Sequence, residues 1–349
     1  MASADQRMGT VRVGIAGLGR FGKLHVGVLG RFPHVAITSV CDPVQAERDA
    51  AVARFPGATA YADLDSMLAG ATLDCLFLVS PEQFHGEHAR QAIARRVPTF
   101  LEKPLATTAA EGAEIARLAR EAEVFLQIGF VLRFDTQHAH LKQEIASGRF
   151  GDLVTLRFKR NCSRAWFETY GDRAHSVHET IIHDFDLAVW FTGSRAKKIY
   201  AVERHLSGLT YPDACVAIVQ FENGSICTFE TSWLIPERAP ANVLTETWHG
   251  TIDSELEIVG TRQSARLRTL ESSLQIWTDD VAKHPEPGLW PEVYGQIAGA
   301  LREEDAHFID CVQRAQPSTV TSVDDAVEGL RIAEAIIESA ATGREVTVV

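Results

Sequence analysis

The sequence predicts an α/β protein in two parts: an N-terminal doubly wound parallel sheet, then an α+β domain on a largely antiparallel, open sheet. Three observations carry this. Through the first 130 residues, buried-strand runs alternate with helix-length segments, the rhythm of parallel strands joined by crossover helices. A glycine-rich turn follows the first of these runs. From about residue 150 the rhythm gives way to a succession of strand-like segments with a hairpin turn signal. A chain of 349 residues is long enough for two ordinary domains with sizeable cores.

The elements follow in order. VRVGIAGLGRFG (11–22) reads as a strand running into a GxGxxG turn made by Gly17, Gly19 and Gly22, with Arg20 and Phe21 inside it. The first two glycines allow a tight turn and close backbone approach to a pyrophosphate. The third lets helix and strand pack closely. A helix from about 20 to 30 would point its N-terminal amides at that phosphate. VAITSVCD (35–42) is a second strand closed by Asp42, 20 residues after Gly22. A carboxylate there suits an adenosine ribose 2′-OH and repels a 2′-phosphate, which favours NAD over NADP. The bland alternative is a strand-ending turn aspartate before Pro43.

Segments 44–55 and 64–69 read as helices, LDCLFLVS (73–80) as a buried strand, and 84–96 as a helix. VPTFLEKP (97–104) is the next strand. Thr108 and Glu111 form a capping box at the start of another helix. VFLQIGF (124–130) is the sixth strand. This rhythm predicts a doubly wound parallel sheet, and ligands bind such sheets at the carboxyl ends of their strands. The expected cofactor crevice is therefore lined by Gly17, Gly19, Arg20, Phe21, Gly22, Asp42, Ser80, Pro81, His85, Glu102 and Lys103. Pro104 disfavours a helical conformation at Lys103, which keeps the segment extended toward the crevice. The competing reading of Lys103 is a surface lysine paired with Glu102.

Downstream, LVTLRFKRN (153–161), KKIYAVERH (197–205), ACVAIVQFE (214–222), SICTFETSW (225–233), ELEIVG (255–260) and ARLRTL (265–270) read as strands. Glu222-Asn223-Gly224-Ser225 is the hairpin signal. Helices return at about 179–191, 292–314 and 323–342, and 235–250 and 278–291 read as loops. The expected division is 1–128 for the first domain and 129–349 for the second, with the last helix free to pack back on the first.

VHETIIHDFD (177–186) invites comparison with a two-histidine zinc helix, but that motif needs HExxH. His178 and His183 are five apart, so at about 100° per residue their rings diverge by roughly 140°. On a helix over 179–191, Glu179, His183, Asp186 and Trp190 instead share one polar stripe among apolar neighbours. Such a stripe faces a partner, a cavity or water. The alternative is a solvated face, or a core histidine satisfied by Asp186. No metal is expected.

Composition is that of a globular protein, with 46% hydrophobic and 23% charged residues. No apolar run approaches the ~18 residues of a membrane helix. The segment MASADQRMGT carries no apolar signal-peptide core. A net charge of −12 argues against nucleic acid or an anionic membrane as partner. The six cysteines are scattered without a CxxC pair, so reduced thiols and a cytoplasmic location are expected.

Together GLGRFG (17–22), EKP (102–104), GFVLRFD (129–135), IIHDFDLAVWFTG (181–193) and SAATGREV (339–346) resemble the Gfo/Idh/MocA oxidoreductases, the glucose–fructose oxidoreductase and inositol dehydrogenase group, nearly end to end. The resemblance implies a Rossmann domain plus a C-terminal α/β domain with an open sheet used for oligomerisation, hence a homodimer or homotetramer. It places Lys103, Glu179 and His183 at a hydride-transfer centre, with Asp186 behind them as a substrate or orienting contact. By the same resemblance Phe130, Arg133 and Asn161 are substrate contacts, Asn161 because KRN (159–161) is similar to an HRN stretch of those enzymes. Two departures stand out: Glu179 occupies a position that is commonly Asp, and Leu132 replaces the first arginine of an RRF segment.

The implied activity is NAD-dependent oxidation of a secondary hydroxyl on a sugar or cyclitol. His183 would be general base oriented by Glu179, and Lys103 would donate to the developing oxyanion. Two alternatives from the same fold are a glycosidase that uses tightly held NAD and a non-catalytic NAD- or sugar-binding regulator. The 235–250 loop, with Trp248 and His249, is expected to help line the substrate pocket.

Overall fold

Six parallel strands form the first sheet: β1 (Val11–Ala16), β2 (Val35–Cys41), β3 (Thr59–Tyr61), β4 (Cys75–Leu78), β5 (Thr99–Glu102) and β6 (Leu126–Gly129). Their spatial order is β3-β2-β1-β4-β5-β6, so the winding reverses between β1 and β4 and opens a crevice at their carboxyl ends. The computed structural model describes residues 9–245, 249–270, 274–278 and 282–348. Every residue of β4, β5 and β6 is buried, as expected for parallel strands covered on both faces. Thr108 caps the helix Ala109–Glu121 by accepting the Glu111 N–H at 3.2 Å. The short strand β3 and the helices Thr136–Ala146 and Arg164–Tyr170 were not among the expected segments.

The C-terminal part supplies cover to this sheet. Helix Ala300–Arg314 sets Phe308 edge-on against Phe77 and Phe100 at 5.2 and 5.8 Å. Helix Val323–Thr342 lies against Ala109–Glu121 on one side and strand Ala196–Arg204 on the other.

The second sheet has seven strands in the order Ser264–Arg268, Ile252–Gly260, Leu153–Ser163, Ile226–Ile235, Ala214–Phe221, Ala196–Arg204, Val346–Thr347. Among the described pairings of this sheet only Leu153–Ser163 and Ile226–Ile235 run parallel. Burial alternates along Ala214–Phe221, where Cys215, Ala217, Val219 and Phe221 face the helices. The opposite face is open. Tyr200, Val202, Val216 and Ile218 lie on it, 45–50% exposed, in register as Tyr200–Ile218 and Val202–Val216.

One expectation is corrected here. The helix over 179–191 is broken into Ser176–Glu179 and Ile182–Thr192. Thr180, Ile181 and Ile182 are three β-branched residues in succession, which lose χ1 freedom in a helix. The Trp233 indole N–H donates to Thr180 Oγ1 at 2.8 Å and fixes the bend. Glu179 and His183 therefore do not sit on successive turns of one helix. Among the described residues no helix is long and apolar enough to cross a membrane.

Candidate active site

A cavity of about 820 Å³ occupies the crevice, running from the β2 end past β1 and β4 to the second domain. Its end at the turn between β1 and helix Arg20–Leu29 is shaped by glycine. At Gly17 φ is +96°, and an added Cβ would lie 2.3 Å from the Val79 carbonyl oxygen. A Cβ at Gly22 would lie 2.1 Å from the Gly17 carbonyl, so strand and helix meet only because it is absent. Gly19 opens helix Arg20–Leu29 with no side-chain cap and with free space over it, leaving that helix's first amides directed at the cavity. Arg20 and Phe21 line the cavity beside them.

Asp42 also lines it, and its carboxylate accepts the Leu18 and Val44 amides, each at 2.8 Å. The turn-forming and ribose-facing readings of Asp42 are thus compatible, because each oxygen retains a lone pair. Ser80 and Pro81 line the same wall. His85 does not: it is 1% exposed, with its ring nitrogens 2.6 and 2.7 Å from the Pro104 and Ser80 carbonyl oxygens. It ties the ends of β4 and β5 together from behind. The Ser80 hydroxyl faces the cavity with His88, 2.9 Å from its Nδ1. These features fit a dinucleotide lying across the glycine turn.

At the other end, Lys103 Nζ donates to the Glu179 carboxylate at 3.2 Å and to its carbonyl at 3.0 Å. His183 lines the same cavity, and its Nδ1 is buried without a hydrogen-bond partner among the described residues. Burial, reinforced by the nearby Lys103 and Arg160 cations, holds its pKa well below the usual histidine value, so the ring is neutral at neutral pH. The expected Glu179–His183 contact is therefore replaced by a Glu179–Lys103 pair.

Behind Lys103 stands a buried polar relay that the motifs did not announce. Glu102 accepts the Lys103 amide at 3.1 Å, and its other oxygen lies 3.1 Å from His25 Nε2. His25 Nδ1 lies 2.8 Å from Asp305, on the helix covering the sheet. Burial opposes charge on His25, but Asp305 and Glu102 outweigh it and raise its pKa to about 10. A protonated His25 thus links helix Arg20–Leu29 to the strand end carrying Lys103. The only sequence signal was a histidine one turn beyond the glycine motif.

Four expected substrate contacts lie elsewhere. Asp186 and Arg133 are 1% and 2% exposed and form a bidentate pair, with Nε–Oδ2 at 2.8 Å and Nη2–Oδ1 at 2.6 Å. Arg133 also binds Asp325 at 2.8 Å and the Val320 carbonyl at 2.7 Å, and its guanidinium stacks over Trp190. This network joins Val131–Phe134, the short turn after β6, to helix Ile182–Thr192, to helix Val323–Thr342 and to the loop that precedes it. Phe130 is 1% exposed, a core side chain. Asn161 points to the open sheet face, where it meets Glu230 and Ser232, because strand parity turns Arg160 and Cys162 inward instead. Arg160 lies at the cavity in a bidentate pair with Asp184, at 2.7 and 3.0 Å. Of the loop residues, His249 is exposed and Trp248 lies outside the described residues.

The Arg133 correction has a measurable consequence. Arg133→Met leaves Asp186 buried and unpaired, so equilibrium unfolding is expected to lose about 3–5 kcal/mol. A variant of unchanged stability whose KM rises tenfold or more, by contrast, would restore Arg133 as a substrate ligand.

Comparison with known proteins follows this geometry. Residues 11–130 match the oxidoreductase family described as having an NAD-binding Rossmann fold, and residues 138–266 match the GFO/IDH/MocA C-terminal domain. The chain is 27% identical over 346 residues to the uncharacterized oxidoreductase YrbE of Bacillus subtilis, covering 96% of each protein. It is 28% identical over 227 residues to an inositol 2-dehydrogenase of Corynebacterium glutamicum, covering 63% of this chain and 66% of that protein. Its fold matches the crystal structure of apo scyllo-inositol dehydrogenase from Lactobacillus casei with a TM-score of 0.83, at 23% identity over 98% of this chain and 99% of that one.

Proposed function

Because the chain belongs to the GFO/IDH/MocA oxidoreductase family, we propose that it is an NAD-dependent dehydrogenase that oxidises a secondary hydroxyl of a sugar, cyclitol or related polyol. The observation that carries this reading is a neutral His183 facing one cavity with the Lys103–Glu179 pair, at the end opposite the glycine turn. Gly17, Gly19, Gly22 and the first amides of helix Arg20–Leu29 hold the pyrophosphate, and Asp42 the adenosine ribose. The dinucleotide, when bound, supplies a nicotinamide ring that accepts hydride from the carbinol carbon.

His183 takes the hydroxyl proton. Proton transfer to the neutral ring keeps pace with departure of the C–H electron pair, so the oxygen passes through partial alkoxide character on its way to the carbonyl. Lys103 donates a hydrogen bond to the oxygen on which charge develops, and Glu179 holds the ammonium in place. His25 and Glu102 fix the backbone that carries it. The balance is one hydride and one proton removed from the alcohol, leaving a ketone.

The test is a panel of inositols and pyranoses with NAD and separately NADP, followed by absorbance of reduced nicotinamide. Oxidation of at least one polyol supports the reading. If NAD binds but no alcohol reduces it, the glycosidase or the regulator of the same fold takes its place, and aryl glycoside cleavage separates those two.

Asp42 sets the cofactor preference by repelling a 2′-phosphate, a like-charge contact worth several kcal/mol. Asp42→Ser is expected to raise the NADP-to-NAD ratio of kcat/KM by about 100-fold. An unchanged ratio would sink that assignment. We also assign residues 1–128 and 129–349 to two domains, and self-association as a dimer or tetramer to the open sheet face of the second. Ile218→Glu, placed amid Tyr200, Val202 and Val216, is expected to shift the protein to monomer in light scattering; a wild-type monomer would refute this.

A further inference from the structure

We infer that the substrate is a glycoside-class polyol carrying an apolar, ring-sized substituent on the side away from its reacting hydroxyl. This rests on the dehydrogenase reading for the identity of the reacting end. The observation behind it is how the cavity's polarity is distributed.

Beyond His183, the cavity is walled by Cys162, Trp166, Trp233 and Ile252, with Tyr170 beside them and Leu132, from the short turn after β6, lining the same cavity. The first four belong to a separate apolar cluster that also holds Phe167 and Val243. The two indole N–H groups of this wall and one edge of the Arg160 guanidinium already have partners. The Trp166 indole N–H donates to the His249 carbonyl at 2.9 Å, and that of Trp233 to Thr180 Oγ1 at 2.8 Å. Arg160 is held bidentate by Asp184. Hydrogen-bonding capacity is concentrated instead at Lys103, Glu179 and His183, with Arg173 at the rim beside Glu82.

A free cyclitol carries a hydroxyl on every ring carbon. Turned against the faces of Trp166, Trp233 and Ile252, the distal hydroxyls lose water without gaining a partner there, at about 1–3 kcal/mol each. An aryl or alkyl substituent in the same place loses nothing polar and removes apolar area from water on both sides. The site is therefore amphipathic: a polar end that reads one carbinol and its neighbour, and an apolar end built for a substituent.

The experiment compares phenyl and methyl pyranosides of matched stereochemistry, together with free inositols and pyranoses, on the NAD-loaded protein. Turnover is read by reduced nicotinamide and binding by tryptophan fluorescence. For at least one sugar, the phenyl glycoside is expected to exceed its methyl partner about tenfold or more in kcat/KM, a gap the buried ring area accounts for. Trp166→Ala and the milder Ile252→Thr are each expected to lower that phenyl-to-methyl ratio toward one. The ratio is internal to each variant, so a general loss of folded protein does not mimic it.

Free polyols oxidised in preference to every phenyl glycoside would overturn this inference and leave the dehydrogenase reading standing. Tight phenyl glycoside binding with no nicotinamide reduced by any alcohol would do the reverse, as would release of phenol without net reduction. A protein that neither binds nor turns over a phenyl glycoside refutes the inference outright.

Discussion

His183→Ala is expected to lower kcat by about 10²–10⁴, the usual worth of a positioned general base, while NAD binding measured by fluorescence changes little. The expectation follows from place as well as residue type. The ring lines the end of the cavity that carries Lys103 and Glu179, away from the glycine turn and Asp42 at the other end. Its depressed pKa also fixes the sign of the pH dependence. A base works in its neutral form, and here that form persists well below the usual histidine titration. The acid limb of kcat/KM should therefore not appear as pH falls from about 8 to about 6. A limb centred near 6.5 would mean that the ring is as hydrated and uncrowded as a free histidine, and turnover surviving the alanine change would remove it from the mechanism.

Lys103→Met is expected to cost about 10²–10³ in kcat, comparable to removal of one donor from a preorganised oxyanion site. Methionine keeps the length and apolar stem of the side chain, so packing against the crevice changes little. The same substitution carries a second, independent readout. Lys103 is one of two cations that hold His183 in its neutral form, the other being Arg160. Without it the His183 pKa rises, and any acid limb of the profile moves up toward 6.5. Loss of rate together with an upward-moving limb identifies the lysine as a neighbour of both the oxyanion and the base. Loss of rate with a stationary limb would leave it only the first role, and an unchanged kcat would remove both.

Much of the site's first half was readable from the chain. Gly17, Gly19, Gly22 and Asp42 occupy the places their spacing implies, because a glycine turn between strand and helix is a local device whose geometry depends on residues close in sequence. Lys103 was placed by its neighbours alone: a buried strand before it and a proline after it put it at the sheet's carboxyl edge. The second half was harder to read for a physical reason. Helical periodicity through 179–191 put Glu179, His183 and Asp186 on one stripe, but three β-branched residues and the Trp233 hydrogen bond break that helix at Thr180–Ile181. A one-residue difference in strand parity likewise exchanged Asn161 for Arg160 at the cavity.

The sequence by itself determined the Rossmann half, its cofactor turn, the open sheet that follows, and the family to which the chain belongs. These depend on local propensity and on patterns a few residues long. Only the tertiary structure decided the ionic pairings. Arg133 meets Asp186 and Asp325, Arg160 meets Asp184, and Glu102 meets His25, across 53, 192, 24 and 77 residues of chain. A charge buried by folding must find a partner wherever the packed elements bring one, and no spacing in the sequence records which it will be.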